Sequence, residues 1–258
     1  MAINNHNQIN FNMINKVFNY SPNFDLKKRK SNQIKFLIFH YTGMKRESDA
    51  IDRLTNLKSK VSSHYLIKRN GEIITLVPDL YIAWHAGKSS WKNYNFLNKN
   101  SIGIEITNFG HQYNYKKFSK NQIKSVIRLS KFLINKYKIK PMNILGHSDI
   151  APSRKKDPGE KFPWSLLAKK KIGIWHSISE KNLKNNRLKN IEIKSEKLFF
   201  KNLIKIGYSL ENPTNINKKN FFKLLIKAFQ RRYRQQFVNG TIDKECILIS
   251  ENLAKKLK

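Results

Sequence analysis

The sequence predicts an α/β (α+β) fold: a mixed central β-sheet flanked by helices, followed by a small all-α unit at the C-terminal end. Three observations carry that prediction. Short apolar runs of β type alternate with helix-period stretches in the order β-α-β-β-β-α-β up to about residue 147. A polar stretch follows between His176 and Lys194, and beyond it only helical periodicity remains. The 258 residues, 40% of them hydrophobic, suffice for one large domain or for a medium and a small one. The boundaries read as an N-terminal extension (1–30), a main domain (31–175), a connector (176–195) and a helical unit (196–258).

Taken in order, "IKFLIFHYT" (34–42) is apolar and aromatic throughout and reads as a buried strand. Residues 47–58 read as a helix with Ile51, Leu54 and Leu57 on one face. "SSHYLIKRNGEIITLV" (62–77) reads as a hairpin, because two β-rich runs flank Asn70-Gly71. "SIGIEITNF" (101–109) is a further strand. Ser119–Tyr137 is a helix whose apolar residues follow a 3.6 period and whose first residue can cap it. "MNILGH" (142–147) is a short strand that opens a proline-rich loop. That loop ends in Phe162 and Trp164, which should anchor it in the core. Helical patterns over 196–206, 219–236 and 242–256 make a unit of about 60 residues. Such a unit is marginal alone and should dock on the main domain.

Composition excludes several classes. Cys246 is the single cysteine, so neither an intramolecular disulfide nor a cysteine-based zinc finger is available. No apolar run reaches membrane-spanning length. The first 24 residues are polar and lack the apolar centre of a secretory signal or a cysteine for a lipid. The expectation is a cytoplasmic chain, with the cell envelope as the alternative site of action. Lys and Arg number 51 against 17 acidic residues, a formal charge of +34. They are spread over every segment, which favours compositional drift over a specific nucleic-acid site.

The candidate chemistry collects around strand ends. His40 closes the first strand, in "FHYTG", and His147 closes "NILGH". Asp157 follows His147 by ten residues on the stiff loop. Two histidines and a carboxylate are a sufficient zinc set with one open position, although this spacing alone is a weak signal. A lone histidine in such a place is more often part of the core or its rim. Glu105 stands inside an apolar strand, where a carboxylate is costly unless paired or functional. It shares a face with Gly103 and Thr107, opposite Ile104 and Ile106. Lys155 could stabilise a developing oxyanion. His64, His85 and Trp84 read as core or as cleft lining, and Trp91 has the same two readings. His6, His111 and His176 carry no signal.

The segments "IKFLIFHYT", "VSSHYLIKRNGEI", "LVPDLYIAWHAGKSSW", "NKNSIGIEITNFG" and "GHSDIAPSRKKDPGEKFPW" resemble, in the same order, those of zinc N-acetylmuramoyl-L-alanine amidases of the Amidase_2 family, AmiD-like branch. "AFQRRYRQQFVNGTIDKE" is similar to the helical peptidoglycan-binding-like domain of that branch. The resemblance implies one zinc ion held by His40, His147 and Asp157. It implies Glu105 as catalytic glutamate and Lys155 as the motif lysine. It also implies peptidoglycan or muropeptides as substrate; His64, His85 and Trp84 are the candidates to line its cleft. A monomer is expected. Three other readings stand beside this one: a binding-only protein on the same fold, a nucleic-acid binder resting on charge, and a 2-His-1-carboxylate iron oxygenase.

Overall fold

The computed structural model describes residues 17–212 and 216–257; His6 and half of the N-terminal extension lie outside the described residues. In chain order the strands are β1 (Val17–Phe18), β2 (Phe24–Asp25), β3 (Phe36–Tyr41), β4 (Tyr65–Ile67), β5 (Ile73–Thr75), β6 (Ile82–Ala83), β7 (Ser90–Trp91), β8 (Tyr94–Asn95), β9 (Ser101–Ile106) and β10 (Ile144–Gly146). The helices are α1 (Glu47–Thr55), α2 (Lys120–Tyr137), α3 (His147–Ile150), α4 (Trp164–Lys169), α5 (Glu180–Asn186), α6 (Ile193–Ile206), α7 (Lys218–Tyr233) and α8 (Lys244–Lys256).

Six strands form one mixed sheet in the order β1-β5-β4-β9-β3-β10. Strands β4, β9, β3 and β10 are mutually parallel, while β5 runs antiparallel to β4. Side chains alternate between the faces of a strand, so β3 divides its apolar residues between two cores. Leu37 and Phe39 face one, together with Ile102, Ile104 and Ile106 of β9 and Val126, Leu129 and Leu133 of α2. Phe36 and Ile38 face the other, together with Leu145, Phe199, Leu225 and Phe229. The helical C-terminal unit therefore covers the sheet face to which His40 and Glu105 also belong.

Local chemistry accounts for the elements. Helix α2 starts at Ser119, whose hydroxyl accepts from the Gln122 N–H at 3.1 Å while the Gln122 side chain accepts from the Ser119 N–H at 3.0 Å. The hairpin between β4 and β5 turns through a three-residue loop. Gly71 N–H donates to Lys68 O, Lys68 N–H donates to Glu72 O, and only Gly71 takes positive φ. This is a type I turn closed by a bulge rather than a two-residue turn centred on Asn70-Gly71. Phe162 and Trp164 are buried and pack on Phe39, with ring centroids 5.0 and 5.7 Å away.

Some expectations are corrected. Helix α1 stops at Thr55 and a 3-10 turn follows, which leaves Leu57 65% exposed instead of on the buried face with Leu54. The polar stretch after His176 holds a helix of its own, α5, capped by the Ser179 side chain and pinned by the buried Leu183. Trp91 is core, edge-on to Tyr208 at 4.8 Å, and no part of a cleft wall. The arginine-rich end of α7 points inward: Arg231, Arg232 and Arg234 are all buried.

Candidate metal centre and active-site cleft

Strands β3, β9 and β10 lie side by side and run in the same direction, so their C-terminal ends converge. His40 of β3 is in register with Glu105 of β9. Gly146 of β10 is in register with Phe39, which puts His147, the next residue, level with His40. Three groups distant in sequence are thereby placed along one sheet edge. The loop after α3 returns Asp157 to the same point, where its backbone carbonyl accepts from the Ser148 N–H at 2.8 Å.

His40 Nδ1, His147 Nδ1 and Asp157 Oδ2 converge at mutual distances of 2.9, 3.2 and 3.0 Å. The far side of each ring is satisfied. His147 Nε2 lies 3.2 Å from the Ala86 carbonyl, which can only accept, so this nitrogen carries the ring proton and Nδ1 holds a lone pair. His40 Nε2 lies 3.0 Å from His85 Nδ1, and His85 Nε2 lies 3.1 Å from Ser101 Oγ. The Ser101 hydroxyl in turn donates to Leu97 O at 2.6 Å. Read back from that carbonyl, each proton is directed outward, and His40 Nδ1 faces the triad with its lone pair. Burial pushes His40 down to about 4, so the ring stays neutral near pH 7. Two imidazole nitrogens and a carboxylate oxygen aimed at one point are a donor set for a metal ion.

The triad opens into a cleft of about 380 Å³ lined also by Trp84, His85, Glu105, Arg154 and Lys155. Glu105 is half-buried, and its Oε2 is sealed from solvent without a hydrogen-bond partner. Burial, reinforced by the charge of Asp157, pushes its carboxyl up to about 8, while Lys155 and Arg53 act in the opposite sense. The Lys155 ammonium has no ion pair among the described residues and is free to meet a ligand. Arg154 clamps the opposite wall, with Nε donating to Lys88 O at 3.0 Å and Nη2 to the carbonyls of Ala86 and Lys88.

Of the residues expected beside a ligand, Trp84 and His85 line the cleft, with Trp84 Nε1 donating to Asp25 Oδ1 at 2.7 Å. His64 does not. It is fully buried beneath β9, where its Nδ1 accepts from the Gly103 N–H at 3.0 Å. Gly103 is required on the same face: a Cβ there would come within 2.5 Å of the His85 ring. Asp149, left out of the chemistry, is buried in an ion pair with Arg232 and accepts from the Tyr208 hydroxyl at 2.7 Å. Sequence reasoning missed Tyr41 and His111, which both line the cleft and lie 2.8 Å apart (Oη to Nδ1). No periodicity marks such a pair; only the convergence of β3 with the loop after β9 reveals it.

Residues 30–160 match the Amidase_2 family, N-acetylmuramoyl-L-alanine amidase. The chain is 37% identical over 238 residues to the N-acetylmuramoyl-L-alanine amidase AmiD of Escherichia coli (strain K12), across 87% of this chain and 83% of that protein. To the 1,6-anhydro-N-acetylmuramyl-L-alanine amidase AmpD of Enterobacter cloacae it is 39% identical over 105 residues, spanning 54% of that protein and 41% of this chain. The solved complex of E. coli AmiD with the substrate anhydro-N-acetylmuramic acid-L-Ala-D-gamma-Glu-L-Lys superposes with a TM-score of 0.75 at 35% identity, over 87% of this chain and 90% of that one. AmpDh3 from Pseudomonas aeruginosa, in complex with anhydromuramic pentapeptide, superposes with a TM-score of 0.74 at 29% identity, over 90% and 94%.

Proposed function

The chain belongs to the N-acetylmuramoyl-L-alanine amidase family, and from that premise we propose that its cleft hydrolyses the amide between N-acetylmuramic acid and L-alanine with the help of one zinc ion. Peptidoglycan and its anhydromuropeptide fragments are the substrate class. The observation that carries the reading is the convergence of His40 Nδ1, His147 Nδ1 and Asp157 Oδ2. Two imidazole nitrogens and one carboxylate oxygen, 2.9–3.2 Å from one another, are the donor types that would hold zinc. Both imidazoles are oriented by their outer nitrogens, as zinc ligands generally are.

Zinc held by these three residues supplies Lewis acidity, acidifying water and polarising a carbonyl. The remaining work falls to the chain. Glu105 accepts the proton of the attacking water, whose oxygen bonds to the muramoyl carbonyl carbon. Its carboxyl is raised partly by the charge of Asp157, and a cation held by Asp157 would cancel that repulsion and favour the basic form. The Lys155 ammonium stabilises the negative charge that develops on the carbonyl oxygen. When the C–N bond breaks, Glu105 returns the proton to the leaving amine of L-alanine. Trp84 and His85 shape the wall beside the scissile bond.

The test is product analysis by mass spectrometry on a defined anhydromuropeptide, before and after dialysis against a chelator. Free peptide stem should appear, vanish with the metal and return on adding zinc. Binding without release of peptide would instead identify a capture protein on the same fold. Full turnover in metal-free protein would remove zinc from the reaction.

A further inference from the structure

The cleft wall next to the triad carries a second set of polar groups that the reaction above does not use. Tyr41 Oη lies 2.8 Å from His111 Nδ1, and His111 Nε2 lies 3.0 Å from Glu160 Oε2. Tyr41 ends β3, His111 belongs to the loop after β9, and Glu160 belongs to the loop that carries Asp157. Each is held in place. The His111 ring stacks on Tyr115 at 4.6 Å, and the Tyr115 hydroxyl donates to Pro158 O at 2.6 Å. A Cβ on Gly110 would come within 2.6 Å of the Tyr41 ring, so a glycine at this position lets the loop close on the tyrosine.

The polarity of the chain of bonds follows from its far end. Burial alone would raise the Glu160 carboxyl, but its bond to His111 and the charge of Arg231 hold it below its ordinary value. An ionised carboxylate only accepts, so His111 Nε2 carries the ring proton. When that is the ring's one proton, Nδ1 offers a lone pair and the Tyr41 hydroxyl donates into it. That leaves the Tyr41 oxygen as an acceptor. The His111 backbone N–H reaches it only at 3.5 Å, the outer limit of a hydrogen bond, so a lone pair remains for a ligand.

We infer that Tyr41 is a substrate-positioning residue, oriented by His111 and Glu160 so that its oxygen accepts a hydrogen bond from an amide N–H of the muropeptide in the cleft. The inference rests on the amidase reading of that cleft. A muropeptide is rich in such donors, in its acetamido group and along its stem. A tyrosine free to rotate its hydroxyl would serve donors and acceptors alike. This one is committed to donors.

The test is steady-state kinetics of peptide release from anhydro-N-acetylmuramyl tripeptide by the zinc-loaded protein and its Y41F, H111F, E160Q and Y41F/H111F variants, with melting temperatures measured alongside. Y41F should raise KM by about five- to tenfold, the size of one neutral hydrogen bond, with kcat changed less than twofold. H111F should raise KM by a smaller factor, because its tyrosine keeps the acceptor but loses its orientation, and the double variant should be no worse than Y41F, because both lose the same bond. Unchanged KM in a folded Y41F, or single effects that multiply in the double variant, overturns the inference. Should Y41F not fold, unchanged KM in both H111F and E160Q does the same. A wild-type protein that releases no peptide sinks the amidase reading itself, an outcome distinct from an active enzyme indifferent to Tyr41.

Discussion

At the scale of single residues, the site is a set of side chains whose properties come from their neighbours. Glu105 would be an ordinary surface carboxylate anywhere else in this lysine-rich chain. Here one oxygen is sealed without a partner and burial pushes its carboxyl up to about 8. If it is the proton carrier, Glu105→Gln should keep one zinc per chain, measured by atomic absorption, while kcat falls by about 10²–10⁴. Lys155→Met should also keep the metal and lose about 10²–10³ in kcat, since a single oxyanion donor is removed. Loss of zinc in either variant would reassign that residue to holding the site. His40, His147, Asp157, Glu105 and Lys155 were all legible as candidates, because their residue types stand at strand ends and on a stiff loop. Tyr41 and His111 were not, because a hydrogen bond between residues 70 positions apart leaves no trace in composition or period. His64 had two readings, core and cleft lining, and the structure gives it the first. Its apolar and aromatic surroundings suit both, and the bond from the Gly103 N–H makes it a brace for β9.

At the scale of elements, the sheet is held by polar anchors as well as by its cores. Asp79, in the turn after β5, accepts from the hydroxyls of Tyr65 on β4 and Tyr137 on α2, each at 2.6 Å, and from Lys136 at 2.9 Å. This ties α2 to the strand beside β9. Burial alone would raise the Asp79 carboxyl, but Tyr137, Tyr65 and Lys136 lower it below its ordinary value. A depressed carboxylate contributes stability that is present above its unfolded value and lost as pH falls through its folded value. Asp79→Asn should therefore cost about 1–3 kcal/mol at neutral pH. It should also flatten the acid limb of the stability curve below about pH 4. Urea denaturation at pH 7 and pH 3 checks both; an equal loss at the two values would show that the charge of Asp79 contributes nothing. Most elements were legible from period and capping, α2 best of all, since Ser119 and Gln122 form the cap that its sequence offers. The turn at Gly71 was legible as a turn but not in its type, which depends on how β4 and β5 twist against each other.

At the scale of the whole molecule, the C-terminal helices complete the core of the amidase sheet. Phe36, Ile38 and Leu145 of the sheet share one apolar cluster with Phe199, Leu225, Phe229 and Leu253. Asp149 fixes the docking. It sits two residues after His147, accepts from the Gly146 N–H at 2.7 Å and from Tyr208, and pairs with Arg232 of α7. Arg232 also donates to Ile144 O at 2.7 Å and lies over the Trp164 ring at 4.3 Å. Removing one member of a buried pair leaves the other charge uncompensated, so Asp149→Asn should destabilise the protein on the order of 3–5 kcal/mol. The checks are the denaturation midpoint and limited proteolysis, which should reach the connector around α5 sooner. A midpoint within about 0.5 kcal/mol of the parent would show that the apolar contacts alone dock the helices. The same packing withdraws two arginines at the end of α7 from any ligand: Arg232 and Arg234 are occupied by Asp149 and by Asp243.

The sequence by itself determined the fold class, the order and approximate extent of the main elements, and the residue types able to hold a metal. These follow from period, capping and the chemistry of single residues, all of which act locally along the chain. Only the tertiary structure decided which of those residues meet. The parallel register of β3, β9 and β10 brings His40, Glu105 and His147 to one sheet edge. The return of the stiff loop adds Asp157, and the docking of α7 gives Asp149 its ion-pair partner. Register and docking are set by contacts between residues far apart in sequence, and local signals do not encode those distances.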